Sequence, residues 1–384
     1  MTDSIELARI QAWAFRCPTP RPVATSFGIM HDRPAVFVRV EDGDGAVGWG
    51  EIFANWPAAG AEHRVRLLEL DIAPLVLGQQ VAAPSDLFHL LEDRTRIRAV
   101  QCGELGPFRQ VIAGLDIAVW DLFARKAGVP LRKYIRADAP DTVATYASGI
   151  QIAAAQDVLP VARNAGFDAF KLKVGFDPNS EITQIQSIFA DLGKGEQIAV
   201  DANQCWSPDE ALRFLRGTSD CPLTWLEEPI PVFSDAGAWQ ALALQSPVVL
   251  AGGENIAGFD DFADAIALGA LGVLQPDVAK WGGITGNLCV ARGALRAGRR
   301  YCPHFLGGGI GLMASAELLA AVGGDGMLEV DVNPNPLRSA FWHGGEPVRA
   351  GQWHCQSQPG LGIDAIPESL AGYETARIDL RKSR

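Results

Sequence analysis

One stretch of the sequence, Phe170-Lys171-Leu172-Lys173, is a short hydrophobic run that ends in a charged side chain. Five later stretches end in the same way, and they are Val200-Asp201-Ala202-Asn203, Trp225-Leu226-Glu227-Glu228-Pro229, Gly252-Gly253-Glu254-Asn255, Gln275-Pro276-Asp277 and Pro303-His304-Phe305. Successive positions differ by 28, 26, 27, 23 and 27, counted in order along Lys173, Asp201, Glu227, Glu254, Asp277 and His304. Since a strand, a helix and two short loops need about that many residues, each charge recurs at the same place in successive βα units.

Such a repeat predicts a closed barrel of parallel strands, in which the C-terminal ends of all strands meet at one rim. Eight strand candidates follow one another with helical stretches between them, at residues 143–148, 169–174, 198–201, 223–227, 248–251, 273–274, 301–303 and 328–330. Their hydrophobicity is continuous, as expected of strands that are covered on both faces. The charged residues at the strand ends are therefore expected to form one site.

Residues before about position 135 lack this repeat and predict an α+β domain. Apolar and polar residues alternate from Val36 to Glu41, and Asp42-Gly43-Asp44-Gly45 supplies a turn before a second short strand. Helices are predicted around residues 64–70, 85–94 and 108–126. Two stretches rich in Pro, Gly and Ala, 18–34 and 53–63, predict long loops that serve either as functional lids or as plain surface loops.

Three segments follow from these patterns. Residues 1–135 form the predicted α+β domain and residues 136–355 the barrel, while residues 356–384 are predicted to pack back on the first domain. A length of 384 residues suits a barrel of about 250 residues with a smaller domain. Seven cysteines, an odd number without C-x-x-C spacing, indicate buried reduced thiols rather than disulfides or a thiolate zinc site.

The charge and the hydropathy limit the partners. A net charge of −12 argues against nucleic acid and anionic membranes, which select for basic patches, so local cations or a metal must attract any anionic substrate. No uncharged stretch approaches the ~20 apolar residues that span a bilayer. The acidic N-terminus lacks the apolar core of a signal peptide. A cytoplasmic protein is therefore expected.

Three carboxylates, those of Asp201, Glu227 and Glu254, end consecutive predicted strands. Brought together they repel one another, and a cation relieves that repulsion. Hard oxygen ligands without Cys or His suit Mg²⁺, with Mn²⁺ as a substitute. The alternative is that each carboxylate caps a helix or pairs with a surface Lys or Arg.

Two lysines, Lys171 and Lys173, point to the same face of one strand, which at the strand end is the barrel interior. Two ammonium groups are costly there unless anions are near. Their mutual repulsion and a metal predict lowered pKa values, which suit a lysine base. Solvated surface lysines are the alternative.

Asp277 and His304 end successive strands, and a carboxylate bonded to one ring nitrogen makes the other a general acid or base. A structural histidine is the alternative. Glu329 follows 25 residues after His304 and either bonds a substrate oxygen or caps a helix. The glycine run at 307–311 either binds an anion in its backbone amides or, as we favour, turns tightly into the next helix.

The chain resembles the enolase superfamily, and specifically its mandelate racemase subgroup, over nearly its whole length. Seven elements in order carry the resemblance: Lys171-Leu172-Lys173, Asp201-Ala202-Asn203, Glu227-Glu228-Pro229, Glu254, Asp277 with Gly282-Gly283-Ile284-Thr285, His304 and Glu329. It extends to Asp116-Ile117-Ala118-Val119-Trp120-Asp121 and to Asn335-Pro336-Leu337-Arg338.

The resemblance implies an α/β fold, a modified TIM barrel (β/α)₇β with an N-terminal α+β capping domain. It also implies Mg²⁺ held by Asp201, Glu227 and Glu254, and removal of the proton α to a carboxylate to give an enediolate. The implied roles are Lys173 as one base, Lys171 as its electrostatic aid, the His304–Asp277 dyad on the opposite face, Glu329 on the substrate carboxylate and Asn203 in substrate binding. The stretches 18–34 and 53–63 would close over the substrate.

The expected substrate is a small-molecule carboxylate, and the expected reaction is dehydration of an acid sugar. Racemisation or epimerisation and lactone cycloisomerisation use the same parts. A metal-binding barrel without catalysis is an alternative of another class, as is a metal-dependent aldolase or hydrolase. Lys280 is expected to be structural, because Asp277 occupies the position where a related subgroup has a lysine base. The chain is also expected to form a homo-oligomer.

Overall fold

The computed structural model describes residues 4–25, 28–342 and 347–382. In its first part an antiparallel sheet faces helices. The strands are β1 (Ile5–Thr25), β2 (Gly28–Asp42), β3 (Val47–Ile52) and β4 (Gln80–Val81). The helices are α1 (Gly60–Leu67), continued by a π-helical turn (Leu68–Ile72), α2 (Ala73–Val76), α3 (Pro84–Cys102), α4 (Leu105–Lys126) and α5 (Leu131–Ile135). Helix α4 packs directly on β3, where a Cβ on Gly50 would lie only 2.0 Å from the carbonyl oxygen of Gly114.

The prediction of a long loop at 18–34 is wrong. Strands β1 and β2 stay paired as far as Thr25 and Gly28, and only residues 26–27 of that stretch lie outside the described residues. The pairing is irregular between Pro18 and Val23. Prolines are tolerated there because β1 has a second neighbour only up to Phe15, and an edge strand need not donate on its outer side.

The second part is a barrel of eight parallel strands in the order β12-β5-β6-β7-β8-β9-β10-β11. Its strands are β5 (Thr142–Gln151), β6 (Ala169–Lys173), β7 (Gln197–Asp201), β8 (Leu226–Glu227), β9 (Leu250–Gly252), β10 (Val273–Leu274), β11 (Arg300–Tyr301) and β12 (Leu328–Asp331). The helices between them are α6 (Ala155–Asn164), α7 (Pro178–Ala190), α8 (Pro208–Gly217), α9 (Ala236–Gln245), α10 (Phe259–Leu268), α11 (Gly283–Arg296) and α12 (Gly309–Val322). Eight strands and seven intervening helices confirm the predicted (β/α)₇β barrel with an α+β domain before it.

The chain after the barrel returns towards both parts. Helix α13 (Pro336–Ser339) is followed by the hairpin β13 (Val348–Arg349) and β14 (Gln352–His354), and β14 pairs with β5. A 3₁₀ turn (Glu368–Tyr373) leads into β15 (Glu374–Arg381), which pairs antiparallel with β1 over Arg9–Phe15. The last strand of the chain thus completes the sheet formed by the first.

Two buried carboxylates of the first part bind the N-termini of barrel helices. Glu51 accepts hydrogen bonds from the backbone N–H groups of Gly308, at 2.5 Å, and Gly311, at 2.8 Å, where α12 begins. Asp116 accepts from the backbone N–H of Thr285, at 2.9 Å, and from its hydroxyl, at 2.6 Å, in the first turn of α11. First-turn N–H groups have no partner within their own helix, and the helix dipole favours negative charge at this end.

Glu51 also shows what the glycine run at 307–311 does. A Cβ on Gly311 would lie 2.3 Å from Cζ of Phe305, and one on Gly308 would lie 2.9 Å from Oε1 of Glu51. The glycines therefore let a carboxylate approach their backbone amides. The run turns directly into α12, as predicted, and its amides also bind an anion, which is the Glu51 carboxylate of the chain itself.

Two findings concern the cysteines and the helices. All seven cysteines are free, but Cys102 and Cys289 are exposed, so the prediction of burial is wrong for these two. No helix in the described part of the chain combines the length and the apolar character that a membrane span needs.

We expect Glu51→Ala to lower the free energy of unfolding by about 2–4 kcal/mol, because it leaves two buried N–H groups without an acceptor. Urea denaturation followed by tryptophan fluorescence measures the change. Glu374→Ala, at an exposed position on β15, is the matched control and should lie within about 0.5 kcal/mol of the wild type. Equal midpoints for the two variants would show that the Glu51 contact does not hold the two parts together.

Candidate active site

Eight ionisable side chains meet at the C-terminal ends of the barrel strands. None is more than 9% exposed, and we call them the mouth cluster: Lys171, Lys173, Asp201, Glu227, Glu254, Asp277, His304 and Glu329. Beneath them the barrel interior is filled by an apolar layer that includes Tyr146 and Trp225. The parallel register sets neighbours side by side, because Lys173 is paired with Asp201 and Asp201 with Glu227.

Lys171 lies at the bottom of the mouth cluster. Its Nζ donates to both carboxylate oxygens of Glu227, at 2.9 and 2.8 Å, and lies 2.8 Å from Oε1 of Glu329. Glu329 also accepts from the hydroxyl of Ser148 and from the backbone N–H of Phe305, at 3.2 Å. Glu329 is therefore engaged on both oxygens and holds Lys171 in place.

Lys173 lies two residues further along β6, nearer the cavity, and donates to Oδ2 of Asp201 at 2.5 Å. The prediction of lowered lysine pKa values included a bound metal, whereas the side chains of the chain by themselves shift these pKa values upwards. Burial does lower them, but Glu227 and Glu329 raise the pKa of Lys171 well above its usual range, and Asp201 raises that of Lys173. Four carboxylates around the two lysines, those of Asp201, Glu227, Glu254 and Glu329, outweigh the repulsion between the lysines.

His304 lies between two carboxylates. Nδ1 is 2.8 Å from Oδ2 of Asp277, and Nε2 is 2.5 Å from Oε2 of Glu254. Burial lowers the pKa of the imidazole, but Glu254 and Glu329 raise it well above its usual range. With a carboxylate acceptor at each ring nitrogen, both nitrogens of His304 are placed to donate, and Nε2 faces Glu254.

Glu254 belongs to a second network at the edge of the mouth cluster. Asn255 donates to Oε1 of Glu254, at 2.9 Å, and to both oxygens of Glu228, at 2.9 and 3.0 Å. Lys280 donates to Oδ1 of Asn255 at 2.8 Å. Burial and, to a smaller extent, the neighbouring Glu254 together raise the pKa of Glu228 to about 8. Asn255 thus orients a predicted metal ligand.

The three predicted metal ligands each face a cation of the chain. In the described ranges, no three Asp, Glu, His or Cys side chains stand close enough together to hold a metal ion as they are. Asp201 is paired with Lys173, Glu227 with Lys171 and Glu254 with His304. With all members ionised, the five carboxylates of the mouth cluster exceed its three cations by two negative charges. Oxygen donors and a deficit of two charges fit a hard divalent cation.

A cavity of about 600 Å³ opens above the mouth cluster. Its floor is formed by Lys173, Asn203, Glu254 and His304, whereas Lys171, Asp201, Glu227, Asp277 and Glu329 lie beneath it. The rest of the cavity is lined by Thr25, Met30, Phe53, Asn55, Trp56, Pro57, Gln110, Gln204, Asn255, Lys280 and Leu306. Both predicted loop stretches, 18–34 and 53–63, thus contribute to its walls.

Backbone strain is found in the cavity lining and beside it. Asn203 and Gln204 have φ values of 44° and 66°, and Glu228 has 40°. The left-handed region is unfavourable for residues with a Cβ, and such residues cluster at functional sites. Asn203 is held there by its own backbone N–H, which donates to Oδ1 of Asp201 at 2.8 Å.

Sequence reasoning missed four cavity residues: Asn55, Gln110, Gln204 and Lys280. Neutral amides carry no spacing signal, and Gln110 belongs to a helix whose apolar face alone was informative. Lys280, expected to be structural, lines the cavity and lies 5.2 Å from the ring centre of Phe53. The position of Asn255 beside Glu254 was visible but carried no argument.

Known proteins share this architecture. The family model described as "Enolase C-terminal domain-like" matches residues 153–369, and the "Mandelate racemase / muconate lactonizing enzyme, N-terminal domain" matches residues 9–135. A D-galactarolactone cycloisomerase of Agrobacterium fabrum is 27% identical over 366 residues, covering 91% of this chain and 93% of that protein. Other relatives are named arabinonate dehydratase and N-succinyl-L-Arg/Lys racemase.

Solved structures agree with the sequence relatives. A mandelate racemase/muconate lactonizing enzyme from Bordetella bronchiseptica RB50 is 46% identical with a TM-score of 0.90, covering 96% of this chain and 99% of that chain. An L-talarate dehydratase from Polaromonas sp. JS666, in complex with Mg and L-glucarate, is 25% identical with a TM-score of 0.84, covering 99% and 100%. The chain belongs to the mandelate racemase/muconate lactonizing enzyme group of the enolase superfamily.

Proposed function

We propose that this protein is a Mg²⁺-dependent enzyme that removes the proton α to a carboxylate through an enediolate, and that its reaction is the dehydration of an acid sugar. One observation carries the proposal. A lysine at the end of β6, Lys173, and a histidine after β11, His304, line the same cavity from different sides, with the Glu254 carboxylate on the floor beside them. Relatives named as dehydratases, cycloisomerases and racemases support this class of chemistry.

Asp201, Glu227 and Glu254 are the residues that would hold Mg²⁺. When bound, the ion supplies positive charge for the developing enediolate, which is the larger part of the stabilisation because an α-proton of a carboxylate is a very weak acid. Structures of relatives in complex with magnesium support this assignment. Mn²⁺ would suit the same oxygen donors.

The side chains of this protein then divide the proton transfers. Lys173 would lose the Asp201 partner that raises its pKa when that carboxylate holds the metal, and in its neutral form it accepts the α-proton at Nζ. Lys171 stays charged beneath it against Glu227 and Glu329. His304 donates its Nε2 proton to the β-hydroxyl, whose C–O bond breaks so that water leaves. The resulting enol becomes an α-keto acid. Asp277 holds Nδ1 of His304, and Asn203 at the cavity floor is placed to bind the substrate.

A second candidate uses the same residues. If His304 returns a proton to the α-carbon from its own side, the result is racemisation or epimerisation, and proton transfer without water loss also serves a lactone cycloisomerase. The placement of Lys173 and His304 on different sides of the cavity favours these reactions as much as it favours dehydration. A homo-oligomer in the cytoplasm remains our expectation for the assembled enzyme.

We expect Glu254→Gln to weaken Mg²⁺ binding at least about tenfold, because it removes one anionic ligand and leaves Nε2 of His304 without its carboxylate partner. The rise in melting temperature with Mg²⁺ concentration measures the affinity through the free energy that ligand binding adds to the folded state. Glu374→Gln, at an exposed position, is the control. A titration identical to that of the wild type would remove Glu254 from the ligand set.

A screen of mono- and diacid sugars with Mg²⁺ tests the reaction, and we expect α-keto acid from one of them. His304→Asn should reduce that turnover by about 10²–10⁴-fold, the usual contribution of a general acid, yet preserve exchange of the α-proton with D₂O through Lys173. His354→Asn, at an exposed histidine, should turn over normally.

Each other outcome has a defined meaning. Full turnover by His304→Asn would show that the His304–Asp277 dyad does not take part in the reaction. Exchange without keto acid in the wild type would identify an epimerase or a cycloisomerase. A wild-type enzyme that exchanges no α-proton of any acid would favour a metal-binding barrel without catalysis.

A further inference from the structure

Arg64 is a buried cation behind the wall of the cavity. It is 2% exposed, and it forms no ion pair with a carboxylate in the part of the chain that the structure describes. Its three contacts are Oε1 of Gln110 at 2.8 Å, the carbonyl oxygen of Trp56 at 3.1 Å and Nδ1 of His63 at 3.0 Å. Burial lowers its pKa to about 10, so the guanidinium remains charged at neutral pH.

A buried guanidinium in these surroundings lowers the stability of the folded protein. A buried charge is costly unless a counter-charge compensates for it, and Arg64 contacts only neutral acceptors. Glu104 is one residue further away, bound to Nε2 of His63 at 3.2 Å. The positive charge of Arg64 is thus compensated only indirectly and adds to the potential at the adjacent cavity wall.

The guanidinium fixes the orientation of Gln110. Arginine can only donate hydrogen bonds, so the amide oxygen of Gln110 must face Arg64 and the amide nitrogen must face away from it. Gln110 lines the cavity, and its Nε2 has no hydrogen-bond partner among the described residues. Helix α4 therefore presents two N–H donors whose direction is set by a buried cation.

The other amides of the cavity are oriented in the same manner. Gln204 accepts from the backbone N–H of Val232 at 2.9 Å through its oxygen, which turns its nitrogen away. Asn55 donates to the carbonyl oxygen of Leu306 at 2.7 Å, which turns its oxygen away. The cavity above the mouth cluster is thus lined by amides with defined donor and acceptor ends.

We propose that Gln110, positioned by Arg64, binds an oxygen acceptor at the end of the substrate remote from the reacting carbon. The inference rests on the proposed function and extends it to the substrate class: an acid sugar long enough to place a distal hydroxyl or a second carboxylate against α4. Gln110 donates from Nε2, and Arg64 is a positioning residue whose charge also favours an anionic distal group. The alternative is a purely structural link between α4 and the 53–63 stretch.

Binding of three acids to the Mg²⁺-loaded protein separates these possibilities. The probes are galactonate, galactarate and glycerate, and thermal shift against ligand concentration reports their affinities whether or not they turn over. We expect Gln110→Leu to weaken the better-bound six-carbon acid about tenfold, the effect of one lost hydrogen bond, and to leave glycerate unchanged, because glycerate does not reach α4. Gln101→Leu, at an exposed position on α3, should change none of the three affinities.

Gln110→Glu identifies the distal group. A carboxylate there would be repelled, so galactarate should lose far more affinity than galactonate, whereas a hydroxyl can donate to the new carboxylate and galactonate binding should persist. Arg64→Lys tests the positioning role, since lysine lacks the planar fork. If Arg64 acts through Gln110, Arg64→Lys should change the affinity for six-carbon acids in the otherwise wild-type protein but not in the protein that also carries Gln110→Leu.

Three results would overturn the inference. Unchanged binding of six-carbon acids by Gln110→Leu rejects it and leaves the proposed function intact. Equal weakening of glycerate shows a structural role for Gln110. A wild-type protein that binds Mg²⁺ but none of the three acids rejects both the distal site and the acid-sugar substrate class.

Discussion

The fold depends on the pairing of eight buried ionisable groups at the mouth of the barrel. A parallel barrel brings eight strand ends to one rim, and in this chain seven of them, all except that of β5, carry members of the mouth cluster, which are at most 9% exposed. The free energy lost when such groups leave water is compensated only when each group has a partner of opposite charge. The structure meets this condition by alternating signs: Lys171 lies between Glu227 and Glu329, Lys173 against Asp201, and His304 between Asp277 and Glu254.

The same requirement of a partner for every buried polar group joins the two parts of the protein. The first turns of α11 and α12 have backbone N–H groups without intrahelical acceptors, and the first part of the chain supplies carboxylates from Asp116 and Glu51. Because both helices follow strands that contribute to the mouth cluster, these contacts fix the walls of the cavity relative to its floor. The shape of the cavity therefore depends on the binding of Asp116 and Glu51 to the N-termini of α11 and α12.

The sequence predicted the elements whose signal is local and periodic. Charges at intervals of one βα unit identified the strands and the residues that meet at their ends. Sequence patterns did not predict features that depend on residues close in space but distant in the chain. Prolines at 18–22 suggest a loop unless the strand is known to be at an edge, and lysine pKa values cannot be judged before the carboxylates around them are placed. Gln110 and Arg64 carry no periodic signal, since their roles exist only through a contact between α1 and α4.

The pairing within the mouth cluster links the proposed bases to the proposed metal ligands. Lys173 is held by Asp201, and His304 is held by Glu254, so each candidate for proton transfer neutralises a candidate for metal binding. Neither member of such a pair can be released alone without leaving a buried charge unpaired. When a carboxylate of such a pair takes a metal as its new partner, the lysine or histidine of the same pair must find a new partner at the same time. With all its members ionised the cluster carries two more negative than positive charges, and a divalent cation is the partner that would make this exchange possible without exposing the barrel interior to water.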